Sequence, residues 1–158
     1  MPMIYEDTLQ VADFLLAADQ LGGFAHRRAA SSAYYALFQR LSLLCAVCLS
    51  RSTIASAEYR RAYRALEHRQ VRDTLSRSDD FRVTLGAPFG ELQDIRQWAD
   101  YSASSHPDEA EANSGRFFTP SEARGCVDKG RDAIRFIDGL ELPMQQRLAV
   151  LLVVRDRR

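Results

Sequence analysis

Strand signals are missing from this chain of 158 residues. No stretch sustains a period-two alternation of apolar and polar residues between turns, which argues against a sheet-based fold. An excess of one charge is missing too. Twenty-one basic and 21 acidic residues cancel, so the chain has no overall attraction to nucleic acid, a membrane surface or acidic substrates. Lysine is nearly absent: Lys129 stands alone among the basic residues, and the rest are arginine. Arginine's planar fork suits phosphate and carboxylate, but so complete a bias is more simply read as genome composition. Cysteine is scarce and odd in number (Cys45, Cys48 and Cys126), which fits a reducing compartment. The longest apolar run, "LSLLCAVCL", is too short to cross a bilayer. The opening "MPMIYEDTLQ" is acidic and polar, unlike a secretory leader. A glycine-rich phosphate loop, a serine nucleophile motif and a cofactor fingerprint are all lacking, so no cofactor is expected. These absences predict a cytoplasmic protein, one domain over residues 1–158, with no membrane association.

Helical periodicity fills the space they leave. A first helix is expected from about Tyr5 to Asp19, ended by "LGG" at Leu21 to Gly23, where glycine tolerates left-handed geometry. The second, about Phe24 to Leu49, is apolar on almost every side from Ala33 onward and must be covered by its own domain or by a partner. Ser56 is placed to cap a third helix, about Ala57 to Leu75. Its outside is basic (Arg60, Arg61, Arg64, Arg69, Arg72), and Tyr59, Tyr63, Leu66 and Val71 face inward. "RSDDFRVTLGAPFG", Arg77 to Gly90, reads as a loop, and a fourth helix follows from about Glu91 to Tyr101. Ser102 to Thr119 is a long polar loop. "TPSEA" opens a fifth helix to about Ile137, with Thr119 as cap, Pro120 first and Glu122 reaching back. Pro143 starts a short C-terminal helix, about residues 143–155. The expected fold is all-α, an antiparallel up-and-down bundle of about five helices.

Within the second helix, Arg28, Ser32, Tyr35 and Gln39 are spaced by four, three and four, so they form one polar stripe. Arg96 and Asp100, four apart, suit an ion pair within their helix. His68 lies one helical turn from Arg64 and seven positions after Arg61, so a guanidinium and an imidazole could share a face of the third helix. Cys45 and Cys48 form a C-x-x-C inside an apolar helix, with no second ligand pair. They read as core cysteines, and no metal site is expected. His26 and His106 have no partner at ligand spacing.

"RRAASSAYYALFQ" resembles the first signature helix of the HEPN superfamily, small helical proteins of toxin–antitoxin and antiviral systems. "LQDIRQWADYS" is similar to the second signature, and "SEARGCVDKGRDAIRFID" to the closing helix. The resemblance spans about Phe24 to Asp138, with a gap at the polar loop. It implies a homodimer through the Ala33–Leu49 helix. In ribonuclease members, an Arg and a His on this helix cleave RNA without metal, His moving a proton and Arg stabilising phosphate charge. Carried over, the Arg position is Ser32 and the His position Gln39, and neither keeps that chemistry.

Two expectations follow. One is a HEPN-like dimerisation and binding module without the ribonuclease residues, its groove formed by Arg28, Ser32, Tyr35, Gln39, Arg96, Asp100 and Tyr101. RNA, a nucleotide or a nucleotidyltransferase-like protein would be its partner. The other is a metal-independent ribonuclease with a relocated centre at Arg61, Arg64 and His68.

Overall fold

The computed structural model describes residues 3–50, 54, 56–101 and 119–154. Among them the chain is all-helical: α1 (Ile4–Ala17), α2 (Gly22–Ser50), α3 (Ala57–Tyr63), α4 (His68–Arg77), α5 (Ala87–Tyr101), α6 (Pro120–Asp138) and α7 (Leu142–Val153). A 3-10 turn, Asp19–Leu21, joins α1 to α2, and a single π-helical turn, Arg82–Gly86, leads into α5. The expected polar loop after Ser102 falls outside the described residues up to Thr119, as do His106 and the charged tail.

Local signals set several helix ends as expected. Gly22 takes the expected left-handed φ of 61°, but it does not end the first helix: α1 stops at Ala17 with Ala18 as its cap, and α2 begins at Gly22 rather than at Phe24. The Ser56 hydroxyl accepts the Tyr59 N–H at 3.0 Å and starts α3. At the head of α6, Thr119 Oγ1 accepts from the Glu122 N–H at 3.1 Å, and the Glu122 carboxylate accepts from the Thr119 N–H at 2.8 Å. That reciprocal pair satisfies two N–H groups that a helix start leaves without intrahelical partners.

Two expectations are corrected. The expected helix from Ala57 to Leu75 is two helices, with a break at residues 64–67. No Gly or Pro marks it. The chain leaves the helix at Arg64, Leu66 becomes buried, and Glu67 is extended (φ −114°, ψ 133°) before α4 starts. The expected loop from Arg77 to Gly90 is largely helical, since the π turn and the first turn of α5 occupy residues 82–90. Gly86 and Pro88, read as breakers, have other reasons to be there. A Cβ at Gly86 would lie 2.9 Å from the Leu75 carbonyl oxygen, so only glycine lets the π turn pass α4 so closely. Pro88 falls in the first turn of α5, where proline is tolerated.

The bundle is built around α2, against which α1, α3, α5, α6 and α7 all pack. Ala33, Leu37, Leu41, Leu44 and Cys45 are buried within the single chain. The apolar surround that suggested an obligate dimer seam is therefore covered by the domain itself, and of its residues only Val47 and Leu49 are exposed. Gly130 of α6 crosses closest: a Cβ there would sit 3.1 Å from the Ala33 carbonyl oxygen. By length and composition α2 could cross a bilayer, but 56% of its apolar window is buried here, as in the core helix of a soluble protein.

Candidate functional site

Helix α2 carries two polar rows side by side. The outer row is the stripe singled out above: Arg28, Ser32, Tyr35 and Gln39. The inner row, displaced by one residue, is Arg27, Ser31 and Tyr34, continued by Phe38. The inner row, with Arg28 and Tyr35 of the outer one, faces α5 and the start of α4, and the junction of the three helices is the candidate site.

Asp100, near the end of α5, is its centre. Its carboxylate accepts from Arg28 Nη1 at 2.9 Å and from Ser31 Oγ at 2.5 Å, and it pairs with Arg96 Nε at 3.2 Å. The expected Arg96–Asp100 ion pair is thus present, and it is shared with α2. Arg96 also donates twice to the Tyr35 hydroxyl, at 3.0 and 2.7 Å, and its guanidinium lies 5.2 Å from the Tyr35 ring centroid and 5.7 Å from that of Tyr34. Arg27 donates to the Ala99 carbonyl at 3.1 and 2.8 Å and stacks 5.0 Å over Trp98. It thereby places a cation against carbonyls in the last turn of α5, where the helix dipole is negative.

His68, first residue of α4, completes the junction. Its Nδ1 lies 2.6 Å from the hydroxyl of the fully buried Tyr34, and its ring stacks on Phe38 at 4.1 Å between centroids. Burial pushes the Tyr34 phenol well above its ordinary pKa, so it keeps its proton. Burial, and then the Arg96 charge, push His68 below its ordinary value and favour the neutral ring. The assignment that satisfies both groups has the phenol donating and Nδ1 accepting, which leaves the proton of the neutral ring on Nε2.

The remaining outer-row residues do not reach α5: one bonds within its own helix and the other to α1. Ser32 Oγ donates to the Arg28 carbonyl at 2.8 Å, one turn back along the same helix. Gln39 Oε1 lies 2.8 Å from the Thr8 hydroxyl of α1. Arg61 and Arg64 do not join His68: α3 ends at Tyr63, both arginines are exposed, and the break removes the shared helical face that the spacing implied. The cation beside His68 is instead Arg96, from α5. Tyr101 ends α5, and its side chain lies outside the described residues. Ser31, Tyr34 and Arg27 were not marked by the sequence reading; their signal was only a second stripe one position away.

No family model, characterised protein or solved structure matches the chain. The roles of these residues therefore rest on their geometry.

Elsewhere the chemistry is quiet. Among the described residues no group of three His, Cys, Asp or Glu side chains could hold a metal ion. Cys45 is buried, Cys48 half-buried, and both are free thiols. Burial pushes the Cys45 thiol up to about 12, far from the thiolate a reactive cysteine needs. A groove of about 870 Å³ runs between α4 and α7, lined among others by Arg69, Gln70, Asp73, Val150 and Val154, and it includes none of the junction residues named above.

Proposed function

We propose that the chain is a HEPN-like helical binding module, without the residues for ribonuclease chemistry, that acts in the cytoplasm as one component of a toxin–antitoxin or defence-type system. The observation that carries the non-catalytic half of this reading is the state of the two motif positions. Ser32 is tied to its own helix, and Gln39 contacts Thr8 of α1. Neither supplies a cation or a titrating base. The neighbouring cations, Arg28 and Arg96, both turn to Asp100, which compensates one of the two positive charges a phosphate would meet. Such a site orders helices and binds; it does not move protons. The binding partner is a second copy, a nucleotidyltransferase-like protein, RNA or a nucleotide. The case for a second copy now rests on the resemblance, because the apolar surround of α2 is already covered. Light scattering after size exclusion, expected at twice the chain mass, tests it directly.

One observation favours a second reading, a metal-independent ribonuclease. His68 and Arg96 bring an imidazole and a guanidinium to the same pair of tyrosines, although not from the helix expected. A single assay separates the two. Folded protein incubated with total tRNA and mRNA, with and without EDTA, is expected to leave the RNA intact. Cleavage that persists in EDTA and disappears in His68→Ala overturns the binding-module reading.

A further inference from the structure

Residues 65–67 are outside any helix, and the first hydrogen bond of α4 runs from the Val71 N–H to the Glu67 carbonyl at 2.9 Å. At this point His68 lies against Tyr34, Tyr35 and Phe38 of α2, beside Leu66 and Val71, which are buried in the same core. We propose that the Tyr34–His68 hydrogen bond is a proton-operated latch: one proton taken up by His68 from solvent releases the first turn of α4 from α2.

Geometry makes the protonated ring a poor fit. An imidazolium offers only donors, so Nδ1–H would face the Tyr34 hydroxyl. The phenol could turn to accept, but its own proton would then have to find another acceptor inside a fully buried site. Each element around the ring adds to the effect. From α2 come the phenols of Tyr34 and Tyr35, and from α5 the Arg96 guanidinium, whose counter-ion Asp100 is shared with Arg28 and Ser31. On α4 itself Arg72 is paired with Asp94, and Glu67 precedes the ring as the N-cap residue. The charge that bears on the imidazole is the positive one of Arg96. His68 also occupies the positive end of the α4 dipole, where a cation is disfavoured.

The proton linkage sets the size of the effect. With an ordinary histidine value of about 6.5 in the open state and no proton taken up in the closed state, opening becomes about tenfold more frequent between pH 7.5 and pH 5.5.

Amide hydrogen exchange on the whole chain tests the latch, with protection factors corrected for the intrinsic pH dependence of exchange. Protection at Val71 and its neighbours is expected to fall about tenfold from pH 7.5 to pH 5.5, and at both pH values to lie well below that of the α6 core amides, as exchange through a local opening requires. His68→Gln, which keeps an acceptor for Tyr34 but cannot take up a proton, is expected to abolish that dependence. A flat wild-type profile, or the same fall in His68→Gln, overturns the proposal. Should that variant fail to fold, the wild-type protein still decides. An NMR titration of the His68 ring with a midpoint below the ordinary value supports the latch, and a midpoint at or above it overturns it.

Discussion

The two polar rows of α2 differ by a single residue of register and do different work. The inner row reaches across the sequence: Arg27 to the Ala99 carbonyl, Ser31 to Asp100 and Tyr34 to His68. The outer row divides. Arg28 and Tyr35 join the α5 network, while Ser32 bonds to its own helix and Gln39 to α1. A row is structural when its partners come from distant helices and its side chains are buried; it is replaceable when its bonds are local. The resemblance fixes attention on Ser32 and Gln39, the two positions of the site with the least to hold.

That comparison can be broken by substitution. Tyr34→Ala removes a fully buried ring and its hydrogen bond, and should cost about 3–5 kcal/mol. A urea titration would show a lower midpoint at unchanged slope. Asp100→Asn takes the shared charge from Arg28, Arg96 and Ser31, with an expected loss of about 2–3 kcal/mol. If Asp100→Asn proves neutral by thermal denaturation, the network is ornamental and the inner row holds alone. Ser31→Ala should cost about 1–2 kcal/mol, because it deprives a mostly buried carboxylate of a donor. The loss should persist in high salt. Arg28, whose side chain is 48% exposed, should behave otherwise: Arg28→Ala costs about 1 kcal/mol or less, and added salt should erase the difference. Ser32→Ala should fall within about 0.5 kcal/mol of wild type, since its hydroxyl only bonds back to its own helix. A large loss there would mean that the outer row is structural after all.

Global stability carries the same signature in its pH dependence. His68 has a lower pKa folded than unfolded. The unfolded chain therefore binds more protons below about 6.5, and the contribution of the neutral ring, complete above that value, is lost as pH falls through it. His68→Gln should flatten this part of the profile in equilibrium denaturation.

Much of the fold was legible in the order of residues. The capping pair at Thr119 and Glu122 and the apolar girth of α2 are local or periodic facts, and each is where its chemistry puts it; Gly22 is left-handed as its chemistry suits, but it starts α2 instead of ending α1. The Arg96–Asp100 pair was legible for the same reason. The break before His68 was not, because it has no Gly or Pro and exists to bury Leu66 and seat the imidazole on Tyr34. Gly86 and Pro88 misled for the opposite reason: both look like breakers, yet one admits a close crossing and the other sits harmlessly in a first turn. The inner row was invisible because Arg27, Ser31 and Tyr34 acquire meaning only from partners 34 to 72 positions away.

The central position of α2 also has a consequence on the ribosome. Its covering helices α6 and α7 are encoded in the last third of the chain: Gly130 meets Ala33, and the Ala149 carbonyl lies 3.9 Å from Cys45 Sγ. At roughly 5–20 residues per second, α2 waits on the order of ten seconds after its own synthesis before those helices emerge. Through that interval the parts of α2 around Ala33 and Cys45 lack their final cover, while α1, already made, is at hand to shield its share of the helix.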